Sequence, residues 1–85
     1  MKLEVNWLPR ARRDLKRLDR QTQARVVDAV ERFAAFGQGD VLHLVDVKPP
    51  EYRLRIGDWR LRFSRDEERQ VLHVLRVLPR GKAYR

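Results

Sequence analysis

Arg53, Arg55, Arg60 and Arg62 are the residues of this chain best placed to do chemistry. They lie within the segment Tyr52 to Phe63, which alternates basic and apolar residues on both sides of Gly57-Asp58. Strand side chains alternate faces with period 2. One face therefore carries Tyr52, Leu54, Ile56, Trp59, Leu61 and Phe63, and the other carries the four arginines. A guanidinium offers a planar fork of N–H donors that matches a phosphate and stacks on flat rings. Four on one face make a site for a polyanion.

The element that positions them is a hairpin. Gly57-Asp58 is a two-residue loop with glycine first, which suits a type II′ turn. That turn pairs Ile56 with Trp59, Arg55 with Arg60, Leu54 with Leu61, and Arg53 with Arg62. Like charges facing each other across a sheet are unfavourable. Two guanidiniums about 5 Å apart repel by about 0.8 kcal/mol in water and by about 3 kcal/mol at an effective dielectric of 20. Stability alone does not select this face, whereas a bound polyanion reverses the sign of the interaction.

Eighty-five residues, 42% of them hydrophobic, suffice for one small domain spanning 1–85 with a single core. The absence of cysteine removes disulfides and thiolate metal sites. The longest unbroken apolar run is Phe33 to Phe36, so no signal-peptide core or membrane span is present, and a cytoplasmic location without membrane association is expected. The net charge of +8 points to nucleic acid or an acidic protein. Arginine outnumbers lysine sixteen to four. Composition can produce that bias, so the placement of the arginines carries more weight than their number.

Residues 2–7 alternate as a short strand, with Leu3, Val5 and Trp7 on one side. Pro9 suits a first helical position. Leu8, Ala11, Leu15 and Leu18 then make the apolar stripe of a helix of about ten residues, with Arg10, Arg13, Arg17 and Arg20 outward. A break around Asp19 to Thr22 precedes a second helix whose stripe is Val26, Val27, Val30, Phe33 and Ala34, stopped by Gly37. Short connections predict a helical hairpin. Residues 41–47 read as a short edge strand or an extended connection, and Pro49-Pro50 ends any regular structure before the arginine hairpin. Residues 65–69 read as a polar turn. Val71 to Leu78 is apolar almost throughout, as a central strand covered on more than one side would be. The expected fold is α+β: an antiparallel sheet of about four strands, with an N-terminal strand and a two-helix hairpin packed on one face. The arginine face is expected to be open.

No P-loop, GxSxG or HExxH motif is present. His73 reads as a partly buried structural histidine, and His43 lacks neighbours that would make it a base. Two histidines thirty residues apart without clustered carboxylates make no metal site, and no cofactor is expected. Arg76 and Arg80 share one parity in a regular final strand, and Lys82 and Tyr84 follow. Whether Arg76 and Arg80 join the hairpin face depends on a register that the sequence does not give. The candidate RNA-binding set is Arg53, Arg55, Arg60, Arg62, Arg76, Arg80, Lys82 and Tyr84, which together could clamp a phosphodiester and stack a base.

Nearly the whole chain resembles the toxin superfamily of type II toxin–antitoxin systems that contains RelE and ParE. The resemblance rests on the opening strand, the helix start from Pro9 to Leu15, the segment Tyr52 to Leu61, and Val74 to Arg80 leading to Tyr84. It implies a RelE-like fold and a metal-independent endoribonuclease that cuts translated mRNA on the ribosome and inhibits translation. On the residues that match, it implies that Arg53 and Arg55 line the cleft, Arg60 holds the scissile phosphate, Arg80 is the basic residue after the last strand, and Tyr84 stacks on a base. These five are the expected catalytic residues. Pro79 stands where many relatives carry histidine or lysine, and Gly81 where a basic residue is common.

Such cleavage uses the RNA 2′-hydroxyl as nucleophile, with the 5′-oxygen leaving. Preorganised arginines stabilise the transition state, each well-placed donor contributing about 10²–10³ in rate. Arginine is a poor proton carrier. Lys82, Tyr84 or ribosomal groups are left for proton transfer. The resemblance also implies a cognate antitoxin that masks the cleft. Two alternatives belong to other classes: a ParE-like toxin that poisons DNA gyrase without cutting RNA, and a non-catalytic RNA-binding module.

Overall fold

The computed structural model describes residues 2–44 and 46–81. The chain runs β1 (Glu4–Trp7), α1 (Pro9–Lys16), α2 (Arg20–Phe36), β2 (Asp40–Leu44), β3 (Glu51–Ile56), β4 (Trp59–Asp66) and β5 (Val71–Pro79). The strands form one sheet in the order β1-β5-β4-β3-β2. The stretch read as an edge strand or a connection is the edge strand β2, which makes five strands rather than about four. The sheet is antiparallel except that β1 runs parallel to β5. The helical hairpin carries the chain from β1 at one edge of the sheet to β2 at the other, and β5 returns to lie parallel beside β1.

Pro9 opens α1, and Asp19 caps α2 by accepting from the Thr22 backbone N–H at 3.3 Å. That cap starts the second helix at Arg20, so the break is shorter than expected and Arg20 to Thr22 form its first turn. Gly37 ends α2 at a φ of 71°, the left-handed position that glycine adopts without strain. The α2 residues Val26, Val30, Phe33 and Ala34 are buried, whereas Val27 is half-buried. They belong to one core with Leu54, Ile56, Leu61, Phe63, Leu72, Val74 and Val77. The Phe33 and Phe63 rings meet at 5.2 Å. Tyr52 and Trp59 pack on the same core while partly exposed, so the apolar face of the hairpin lies inward as its periodicity requires.

The hairpin register is the one that the turn length implies: Ile56 with Trp59, Arg55 with Arg60, Leu54 with Leu61, and Arg53 with Arg62. Gly57 has a φ of 59° and Asp58 does not share the positive sign, which is the II′ signature. The β4–β5 ladder slips once, where Arg62 faces Arg76 and Phe63 faces Val74. Leu75 is thus the extra residue of a bulge, and it breaks the regular parity expected of this strand. His73 is half-buried, with its Nδ1 3.0 Å from the Asn6 side-chain nitrogen. His43 is exposed on edge strand β2 and stacks on Tyr52 at 4.9 Å.

Candidate functional site

The arginine face is less open than its periodicity suggests. Arg53 and Arg62 are half-buried, Arg60 is only 7% exposed, and of the four only Arg55 is exposed. Across the sheet, Arg53, Arg62 and Arg76 stand in one row over three strands. Two carboxylates make that row tolerable. Glu51, at the start of β3, pairs with Arg62 Nη2. Asp14, from α1, accepts from Arg76 Nε at 2.7 Å and from Nη2 at 3.2 Å.

Asp14 has a second task. Strand β1 stops opposite Val74, so the outer edge of β5 runs on beyond its partner. The Leu8 backbone N–H closes the last rung to the Val74 carbonyl at 3.0 Å, and α1 then covers the edge. Asp14 Oδ2 accepts from the Val77 backbone N–H at 2.9 Å, satisfying a buried donor just past the bulge. Burial of Asp14 pushes its pKa up. The Arg76 hydrogen bond, the Val77 N–H and the charges of Arg76 and Arg17 outweigh that and leave it below the ordinary aspartate value. The same hydrogen bond, followed by the Asp14 charge, holds Arg76 above the ordinary arginine value despite burial. Arg76 therefore ties α1 to β5 rather than joining the anion site.

Arg60 sits at the centre of what remains. Its Nη1 donates to the Gly57 carbonyl at 2.7 Å and to the Trp59 carbonyl at 3.0 Å. These bonds aim the guanidinium from inside the hairpin turn and leave its other donors without a partner among the described residues. Burial lowers the Arg60 pKa, and the charges of Arg55, Arg53 and Arg80 lower it further, with Asp58 opposing. An arginine starts so high that it remains a cation. The exposed Arg80 reaches the cluster because its backbone N–H donates to the Asp58 carbonyl at 2.9 Å, pinning the end of β5 to the hairpin tip.

The structure thus brings together Arg53, Arg55, Arg60 and Arg80. It assigns Arg62 to Glu51 and Arg76 to Asp14. Lys82 and Tyr84 lie outside the described residues. Among the described residues no group of three His, Asp or Glu side chains is placed to hold a metal ion. No helix is long and apolar enough to cross a membrane. The cluster can bind and polarise a phosphoryl group, but its described members supply no proton carrier.

Sequence reasoning missed both carboxylates. Glu51 shares the parity of Arg53 and Arg55, and extending the hairpin by one residue would have put it on their face. Asp14 falls between Ala11 and Leu15 on the inward side of α1, where an acid signals a buried partner.

Comparison with known proteins agrees with this architecture. A family model described as the ParE toxin of the parDE type II toxin–antitoxin system matches residues 5–84. The chain belongs to the RelE/ParE superfamily of type II toxins. Among solved structures, it is similar to a chain of the archaeal RelE-RelB complex from Pyrococcus horikoshii. That match has 24% identity and a TM-score of 0.80, covering 98% of this chain and 100% of the other. It is also similar to a chain of the RelBE2 toxin–antitoxin complex from Mycobacterium tuberculosis, with 27% identity and a TM-score of 0.74, covering 94% and 100%. No curated protein matches. This toxin therefore has the expected α+β, RelE-like fold, with the strand count corrected to five.

Proposed function

We propose that this toxin is a RelE-like, ribosome-dependent endoribonuclease of the cytoplasm that cuts translated mRNA and so arrests growth. The observation that supports this most is the buried Arg60 held by two carbonyls among the charges of Arg55, Arg53 and Arg80. Concentrating like charge around a desolvated guanidinium is unfavourable by itself. A phosphodiester there turns each repulsion into an attraction.

In the reaction, the RNA 2′-oxygen attacks the adjacent phosphorus, and the bond from phosphorus to the 5′-oxygen breaks. The 2′-hydroxyl proton leaves to a base, and the departing 5′-oxygen gains one. Arg60 and Arg80 hold the non-bridging oxygens as their charge grows, with Arg55 and Arg53 in support. The proton carriers are Lys82, Tyr84 or groups of the ribosome. A cognate antitoxin keeps the toxin silent, as the complexes of its structural relatives suggest.

A second reading is favoured by the description of the family model and by the lack of a proton carrier among the described cluster residues. It is a ParE-like toxin that inhibits DNA gyrase by protein contact. Induction of the toxin, with mapping of mRNA 5′ ends beside a gyrase cleavage assay, separates the two. Codon-phased cuts that vanish in Arg60→Ala support the nuclease. Accumulated gyrase–DNA breaks with intact messages support the rival and refute the first reading.

A further inference from the structure

A pocket of about 470 Å³ lies beside the arginine cluster, and neither the anion site nor the core accounts for it. Its apolar walls are Leu8, Pro9 and Leu75, and it holds the Glu51–Arg62 pair, with Arg76 at its side. This size, with mostly apolar walls and a few polar groups, is that of a small-ligand site. The bulge at Leu75 builds one wall by adding a residue to β5 there, and the turn from β1 into α1 supplies the opposite wall.

The polar pair is poised for a ligand. The Glu51 and Arg62 side chains are 17% and 21% exposed, so water screens them poorly. Arg62 Nη2 engages only Oε1 of Glu51, and a carboxylate has room for further donors on its second oxygen. Arg62 Nε is buried without a hydrogen-bond partner, a cost that a small rotation toward a bound acceptor would relieve.

We propose that this pocket reads a guanine base of the RNA strand whose phosphate Arg60 holds. The inference rests on the nuclease reading and deepens it. Arg62 lies two residues along β4 from Arg60 on the same face, a step of about 7 Å, which suits the reach from a phosphate to a neighbouring base. Leu8, Pro9 and Leu75 offer flat apolar surfaces to an aromatic ring. Guanine alone among the four bases presents two adjacent donors, N1–H and the 2-amino group, beside the O6 acceptor. Glu51 matches the donors, and the guanidinium of Arg62 matches O6. The arginines around the pocket give the surroundings the positive sign that a nucleotide needs. Glu51 engages Arg62 and makes no ion pair with Arg60, whose bonds go to the Gly57 and Trp59 carbonyls.

The test uses tetraribonucleotides differing at one base, and separately the four nucleoside monophosphates, with the methyl NMR signals of Leu8 and Leu75 as readout. Wild type is expected to bind the guanine form at least about tenfold more tightly than the others, the discrimination typical of one bidentate base contact. Guanosine monophosphate is expected to shift both leucine signals. Glu51→Gln keeps the side-chain shape and should bring the guanine preference close to one. Leu75→Phe, which fills the pocket without touching the ion pair, should do the same, and thermal melting checks that both variants fold. Equal binding of all four bases by wild type, or a preference that survives both variants, overturns the pocket and leaves the anion site standing. Loss of antitoxin binding in both variants without loss of a base preference also overturns it, by assigning the pocket to a protein segment. Guanine-selective binding without mRNA cleavage in cells would sink the nuclease reading alone.

Discussion

Replacing Asp14 tests most directly how the site is held. Its carboxylate makes three hydrogen bonds, two to Arg76 and one to the Val77 N–H, and the residue is only 9% exposed. Asp14→Ala leaves a buried backbone donor and a guanidinium without its counter-charge. Breaking a buried ion pair by removing one partner costs about 3–5 kcal/mol. The Arg76 side chain is 26% exposed and water reaches it, so the low end applies, about 3 kcal/mol. At roughly 0.05–0.15 kcal/mol per residue, a domain of this size has about 4–13 kcal/mol in all. The loss should therefore lower Tm by about 12 °C or more. Asp14→Asn keeps an acceptor for Val77 and should cost less, about 1–2 kcal/mol. The pH dependence follows from the depressed pKa of Asp14 in the fold. The stabilisation is complete above the unfolded value, near 3.9, and is lost as pH falls through the lower folded value. The gap between wild type and Asp14→Asn should thus be constant near neutrality and close below about pH 4. Urea denaturation across this range measures it. A loss under about 1 kcal/mol for Asp14→Ala at pH 7, or a gap that does not close in acid, refutes the reasoning.

Further outcomes follow from the same geometry. Four single-strand phosphate contacts give log Kd against log salt a slope of magnitude about 3, and Arg55→Ala or Arg80→Ala should each reduce it by about 0.7; an unchanged slope in both removes them from the RNA path. Gly57→Ala places a side chain at a φ of 59° and should cost about 1–2 kcal/mol by urea melt. The nearest atom to the new methyl, Arg25 Nη2 at 2.9 Å, is the mobile end of a side chain and adds little. Asp19→Ala removes the α2 cap and should cost about 1 kcal/mol, whereas a neutral result by calorimetry would show that Thr22 finds water instead.

Much of the fold was legible because its signals are local. Alternation assigned the faces of the hairpin, and the two-residue turn fixed its register before any contact was known. Helical spacing identified the α2 stripe, and Gly37 marked its end. The site was legible only by half. Alternation places Arg60 and Arg62 on one face as equals, yet one is buried against carbonyls and the other is neutralised by Glu51. Arg76 looked like another phosphate ligand because its partner, Asp14, stands sixty-two positions away on a helix.

By itself the sequence determined which residues alternate, where the turn falls and how much positive charge the chain carries, since each depends on neighbours a few bonds apart. Tertiary structure decided which charges remain available. The bulge at Leu75, the early end of β1 and the arrival of α1 on the β5 edge bring Asp14 to Arg76, and pairing of β3 with β4 seats Glu51 beside Arg62. A charge is cancelled only by an opposite charge within a few ångströms, and that distance is set by packing rather than by sequence spacing.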